Sequence, residues 1–91
     1  MRNAKVDANQ TEIVKHLRKL QASVQILSAV GKGCPDLLVG YKGHNILMEV
    51  KVKKGKLTPD QVVWHLTWHG AVVIVRTPAE AEAALRLYAD A

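Results

Sequence analysis

Hydrophobic residues recur along this chain with two different periods. Ile13, Val14, Leu17 and Leu20 lie three and four positions apart, the spacing that gathers side chains on one side of a helix, and they predict a first helix over about residues 8–22. Residues 24–30 mix β-branched side chains with partial alternation and read as a strand that stops at Gly31-Lys32-Gly33. Two more apolar runs, at about 37–41 and 46–52, flank Tyr41-Lys42-Gly43-His44-Asn45, where Gly43 and Asn45 can take the positive φ of a tight hairpin turn. Thr58-Pro59-Asp60-Gln61 then carries a strong helix-start signal: an N-cap threonine, a proline at the first helical position and a glutamine that can close a capping box. This helix is expected to end at His69 with Gly70 as its stop, and to pack Val62, Val63 and Leu66 on a sheet. Residues 71–75 form a continuous apolar run that reads as a strand buried on both faces, lying parallel to its predecessor through a right-handed crossover. Thr77-Pro78-Ala79-Glu80 repeats the helix-start pattern, and Ala81, Ala84, Leu85, Leu87 and Tyr88 give the last helix its apolar stripe. The predicted order is α-β-β-β-α-β-α, an α/β sandwich with helices flanking a four-stranded mixed sheet.

Composition narrows the class. Ninety-one residues make a single domain over 1–91, with 48% hydrophobic and 23% charged residues, both ordinary for a globular protein. No stretch approaches the roughly 20 apolar residues of a membrane-spanning helix. The start, Met1-Arg2-Asn3-Ala4-Lys5, is polar and lacks the apolar centre of a secretory signal, so residues 1–7 read as a flexible basic arm. A single cysteine, Cys34, can form no internal disulfide, which fits a reducing compartment and a cytoplasmic or nucleoid-associated protein that is not secreted. A net charge of +5 and a pI near 9.6 favour a polyanionic partner, nucleic acid or an acidic membrane surface.

Against that basic background, two acidic residues stand out. Asp36 follows Pro35 where a strand begins, and Glu49 and Lys51, two residues apart on the next strand, share one face. The hairpin between the runs brings Asp36 back beside Glu49. Carboxylates repel the phosphates that lysines attract, and a divalent cation reconciles the two. Mg²⁺ prefers oxygen ligands and uses one or two carboxylates with waters and substrate phosphate, so Asp36, Glu49 and the backbone carbonyl of Val50 form a candidate set. Lys51 would then position a water or stabilise charge on the phosphoryl oxygens. Lys53, Lys54 and Lys56 follow as a solvated charge run that, beside Glu49, becomes a candidate phosphate-gripping rim. Lys32 lies in a plain glycine turn that can also approach a phosphate, without the spacing of a P-loop.

Gly33-x-Pro35-Asp36-Leu37, then Glu49-Val50-Lys51, Gln61 on the following helix and Gly70 before a Val-rich strand resemble the VRR-NUC family of the PD-(D/E)xK nucleases, over nearly the whole chain. The resemblance implies a restriction-endonuclease-like αβββαβ core plus a C-terminal helix. It implies an endonuclease that hydrolyses phosphodiesters in branched DNA, such as four-way junctions or flaps, with Mg²⁺ or Mn²⁺, and works as a homodimer. On the same resemblance Asp36 and Glu49 are metal ligands, Lys51 is the catalytic lysine, Glu12 matches a first-helix acid and possible ligand, and Gln61 matches a catalytic glutamine near the scissile phosphate.

Local readings run alongside these. Glu12 can close a capping box with Asn9, as Gln10 can with Asp7, and Gln61 is explained by its cap alone. Trp64 and Trp68, at i and i+4, form a stripe suited to the core, a subunit interface or stacking on unpaired bases. His65 and His69 share that spacing, but no glutamate follows His65 and the zinc-protease pattern fails. The competing class is a non-catalytic DNA- or RNA-binding module whose Asp36 and Glu49 merely pair with neighbouring lysines.

Overall fold

Seven elements follow in the predicted order: α1 (Gln10–Lys19), β1 (Ser23–Ile26), β2 (Leu37–Tyr41), β3 (His44–Val50), α2 (Pro59–Thr67), β4 (Val72–Val75) and α3 (Pro78–Ala89). The structure, a computed structural model, describes residues 8–89; the basic arm expected over 1–7 lies outside the described residues. The sheet has the order β1-β2-β3-β4, antiparallel except for the parallel pair β3–β4, as the helical crossover requires.

The β2–β3 hairpin closes on Tyr41 opposite His44, with Lys42 at φ 48 and Gly43 at φ 82 as its two turn residues. Two consecutive left-handed residues match the strand twist of a two-residue hairpin. Lys42 therefore takes the role expected of Asn45, which instead pairs with Gly40 inside the strand.

Alternation along the strands sorts the two sheet faces. Leu37 and Val39, Ile46, Met48 and Val50, and Val75 point to one face, where Ile13 and Leu17 of α1 and Ala81 and Leu85 of α3 complete the core. The opposite face is covered over the end of β3, where Leu47 and Glu49 are buried, and more open elsewhere. Ile74 is 39% exposed, so β4 is not buried on both faces as its sequence suggested; it is an edge strand whose second face stays partly open. Nor does α2 lay its apolar residues on the sheet: Val63 is 60% and Leu66 79% exposed, and α2 has no buried residue. The helix ends at Thr67, before the expected His69, where the threonine hydroxyl back-bonds to the Val63 carbonyl at 2.9 Å and Trp68 turns to extended backbone.

Asn9 is the N-cap of α1 but makes no side-chain capping bond. Its amide nitrogen reaches across the fold to the carbonyls of Lys51 at 3.0 Å and Arg76 at 2.7 Å, clipping together the exits of β3 and β4. Among the described residues no helix is long and apolar enough to cross a membrane.

The two helices over the core are joined by a polar clamp. His16 of α1 meets Glu82 Oε1 of α3 at 2.8 Å, and Arg86 donates to Glu82 Oε2 at 2.6 Å. The hydrogen bond from Arg86, followed by that from His16, holds the Glu82 carboxyl below its ordinary range. A carboxyl depressed on folding stabilises the protein above its unfolded pKa, and that contribution is lost as pH falls through the folded one. Glu82→Gln is therefore expected to lower the melting temperature at pH 7, with the gap closing as pH drops below the usual carboxylate range. Thermal melts of both proteins from pH 7 to pH 3 check this; a gap independent of pH would remove the clamp's electrostatic role.

Candidate active site

The register that sets Leu37 opposite Met48 also brings Asp36, the residue before β2, to the end of β3 that carries Glu49. Asp36 Oδ2 accepts the backbone N–H of Val50 at 2.8 Å, so the carboxylate is fixed across the strand pair. Its Oδ1 accepts from the Ser28 hydroxyl at 3.4 Å, and Ser28 in turn meets the side-chain amide of Gln10 at 3.3 Å. Pro35 is buried behind it.

Glu49 is only 2% exposed. A buried carboxylate demands compensation, because leaving water costs it several kcal/mol. Gln61 supplies one hydrogen bond, Nε2 to Glu49 Oε2 at 3.2 Å. Lys51 Nζ lies 4.0 Å from the same oxygen, and His65 Nε2 lies 4.0 Å from Oε1; both side chains are 13% exposed. Gln61 caps its helix and also faces Glu49. Its carbonyl oxygen accepts from Thr58 N at 2.9 Å and its backbone N–H donates to Thr58 Oγ1 at 3.3 Å, closing the capping box, while its amide nitrogen serves Glu49.

The structure thus gathers Asp36, Glu49, Lys51 and Gln61, and its contact at Val50 is the N–H rather than the carbonyl. It does not bring in Glu12. That side chain is exposed on the outer side of α1, in a groove of about 580 Å³ walled by Lys15, His16, Arg18, Lys19 and Pro78. The first-helix residue that does reach the site is Gln10, buried on the same stripe as Ile13, Val14 and Leu17. A polar residue on an apolar stripe was the available signal. His65 was likewise legible as the residue one helical turn beyond Gln61.

Lys32, Lys53, Lys54 and Lys56 are all exposed. Gly31, Lys32 and Gly33 take φ of 79, 56 and 85, and a Cβ on Gly33 would collide with the Asp60 carbonyl. The turn is thereby pressed against the start of α2, leaving a concavity of about 420 Å³ lined by Lys32, Asp60, Val63, Trp64 and Thr67. Trp64 and Trp68 stack on each other, centroids 4.5 Å apart at 18°.

Two further groups report on the local field. Burial, and then the negative charges of Glu49 and Asp36, push the Cys34 thiol above its ordinary range, which leaves it a poor nucleophile at neutral pH. Burial, and then the charge of Lys51, hold His65 below its usual range, so its ring is neutral near pH 7. Among the described residues no three His, Cys, Asp or Glu side chains form an all-protein metal cage. A Mg²⁺ site completed by waters and phosphate oxygens does not require one.

A mixed sheet in this order, with an acidic pair and a lysine at the meeting of β2 and β3, defines a restriction-endonuclease-like fold. No protein-family model and no curated protein matches the sequence. A solved structure described as "VRR_NUC domain" superposes with a TM-score of 0.70 at 25% sequence identity, over 90% of this chain and 99% of that chain. That likeness supports the VRR-NUC family and suggests a nuclease domain.

The contact between Gly33 and α2 gives a stability test. Gly31→Ala meets nothing within 4 Å and is expected to cost only the left-handed penalty of about 1–2 kcal/mol. Gly33→Ala adds a collision with Asp60 backbone, next to Gln61, and should cost clearly more in urea denaturation. Equal losses would mean that the turn does not brace α2.

Proposed function

We propose that this domain is a Mg²⁺- or Mn²⁺-dependent DNA endonuclease acting on branched DNA, four-way junctions or flaps, as a homodimer. The convergence of Asp36, Glu49 and Lys51 at one end of the sheet carries the reading. The residues fit a hard cation: Glu49 is a buried carboxylate on the strand next to Asp36, and both offer oxygen donors. Asp36, Glu49 and the Val50 carbonyl would hold the ion, and when bound it would polarise the phosphodiester and make a bound water more acidic.

The chain's own groups do the rest. Lys51, nearly buried beside Glu49, stabilises negative charge on the phosphoryl oxygens and orients the attacking water. Gln61 holds the Glu49 carboxylate in place. Cys34, its thiol raised by the same carboxylates, stays protonated, which supports direct hydrolysis without a covalent intermediate. Lys32, Lys53, Lys54 and Lys56 contact backbone phosphates and carry no base information. The dimer reading is supported by the exposed Val63, Leu66 and Trp68 of α2, and two-fold pairing suits symmetric cuts in a junction.

Cleavage of end-labelled duplex, single-stranded, flap and four-way-junction DNA with Mg²⁺, Mn²⁺ or EDTA tests the activity. Glu49→Ala and Lys51→Ala are each expected to lower the cleavage rate about 100-fold or more. No cutting in any lane, with Glu49→Ala binding DNA as tightly as wild type or tighter, would favour the binding-module reading. Light scattering at the concentrations that cut junctions should return twice the chain mass, and a monomer there would defeat the dimer.

A further inference from the structure

Lys15 and Lys19 lie four residues apart on one side of α1, about 6 Å along its axis, and both are exposed. Neither makes a hydrogen bond or an ion pair among the described residues. Glu12, three residues before Lys15, is placed for a helical ion pair with it and makes none. Arg18 stands beside them and spends one guanidinium N–H on the Val24 carbonyl at 3.1 Å. With His16 and Pro78, the first residue of α3, these side chains wall the groove of about 580 Å³. The Glu82 carboxylate next to His16 is already matched by Arg86, so Lys15, Arg18 and Lys19 face only the charge of Glu12. Cations in a last turn answer the negative end of a helix dipole, which accounts for Arg18 and Lys19 but not for Lys15, which precedes that turn.

Bonding connects this groove to the basic rim. Asn9 fixes the start of α1 to the carbonyls of Lys51 and Arg76, Arg76 holds the turn that carries Lys53 and Lys54, and Pro78 follows Arg76 by two residues. From that junction α1 runs for ten residues, about 15 Å. We infer that the α1 groove is a second nucleic-acid site, which takes the sugar–phosphate backbone of a DNA segment beyond the one being cut. The inference rests on the DNA-cleaving reading of the proposed function. Recognition here is electrostatic and independent of sequence, because ammonium groups displace counterions from phosphates and read no base edge. A cleft between two helices fits a rod of phosphates, whereas an acidic membrane presents a flat surface. A branched substrate offers this groove an arm that a linear duplex lacks, and two grips on one molecule multiply its affinity. Branch preference then needs no sequence readout.

The test measures binding in EDTA, where no cutting occurs, by fluorescence anisotropy over a salt series on a four-way junction and on a linear duplex two arms long. Wild type is compared with Lys15→Ala/Lys19→Ala, Lys15→Glu and Glu12→Gln as full chains. All three positions are exposed and the new residues are good helix formers, so each variant should melt as wild type does. The double alanine variant is expected to lose junction affinity about tenfold and to lower the salt slope by about one per lysine removed. Lys15→Glu should weaken junction binding as well, whereas Glu12→Gln, which removes the groove's acid, should tighten it. Linear duplex binding should change much less. Unchanged junction affinity and slope in both lysine variants overturns the inference, and an equal loss on the linear duplex overturns the second segment. Loss of binding to phosphatidylserine vesicles, with DNA binding intact, would make the groove a membrane contact and overturn it too. Failure of wild type to cut DNA with Mg²⁺ or Mn²⁺, alongside the expected losses in EDTA, would remove the nuclease reading and leave the groove standing.

Discussion

Glu49 carries a carboxylate into a place with almost no water, and much of the fold can be read as the accommodation of that charge. An ionised group so buried is tolerated only where dipoles and opposite charges converge on it. β3 is an interior strand, held by β2 on one side and β4 on the other, so the backbone under Glu49 has little freedom to shift. Asp36 is fixed to the same few residues through Val50 N–H, which ties the start of β2 to the end of β3. Such preorganisation is what an electrostatic site needs, since groups already in place require no rearrangement when charge develops.

The helix that serves this site is the least conventional part of the molecule. α1 and α3 earn their positions by burying apolar stripes against the sheet and by the Glu82 clamp between them. α2 buries nothing and is held from its N-terminus, by the capping box, by Gln61 reaching Glu49 and by the Gly33 turn pressed on Asp60. Helix start and site are therefore one structure. A shift of α2 that broke the cap would also remove the amide from Glu49, and its apolar outer face is left for whatever covers it.

How much of this was legible before the fold follows from how far each signal reaches. Element order, the parallel last strand and both Thr-Pro helix starts are local, written in periodicity and caps, and they hold. Asp36, Glu49 and Lys51 were readable because strand alternation fixes side-chain direction with a period of two. Helices are less forgiving: each residue turns the side chain by roughly 100°, so Glu12 and Gln10, two apart, face nearly opposite ways. The docking of α1 decides which one meets Ser28, and no local pattern states that docking. Likewise, Asn9 looked like a cap because its local geometry permits one, but its amide nitrogen is drawn to carbonyls at the exits of β3 and β4, and in that orientation Oδ1 makes no capping bond. Coverage of the sheet by α2 was overcalled for the same reason: an apolar helix face predicts burial without saying whether a second sheet face has a partner.

Arg76 connects the acidic site to the basic surface. Its guanidinium Nη1 donates to the carbonyls of Val52 at 2.7 Å and Gly55 at 2.8 Å, while its backbone N–H is held by Glu80. Gly55 N–H also closes back on the Val52 carbonyl at 2.8 Å, so Lys53 and Lys54 ride on a turn whose backbone is already bonded. Loops without such bonds must be ordered when a ligand arrives, and that ordering subtracts from affinity. Here the lysines stand on a frame set before contact, one step beyond Lys51. On the proposed function, phosphates drawn to that rim would meet the Lys51 ammonium next, and then the carboxylates, whose repulsion a bound cation would reverse.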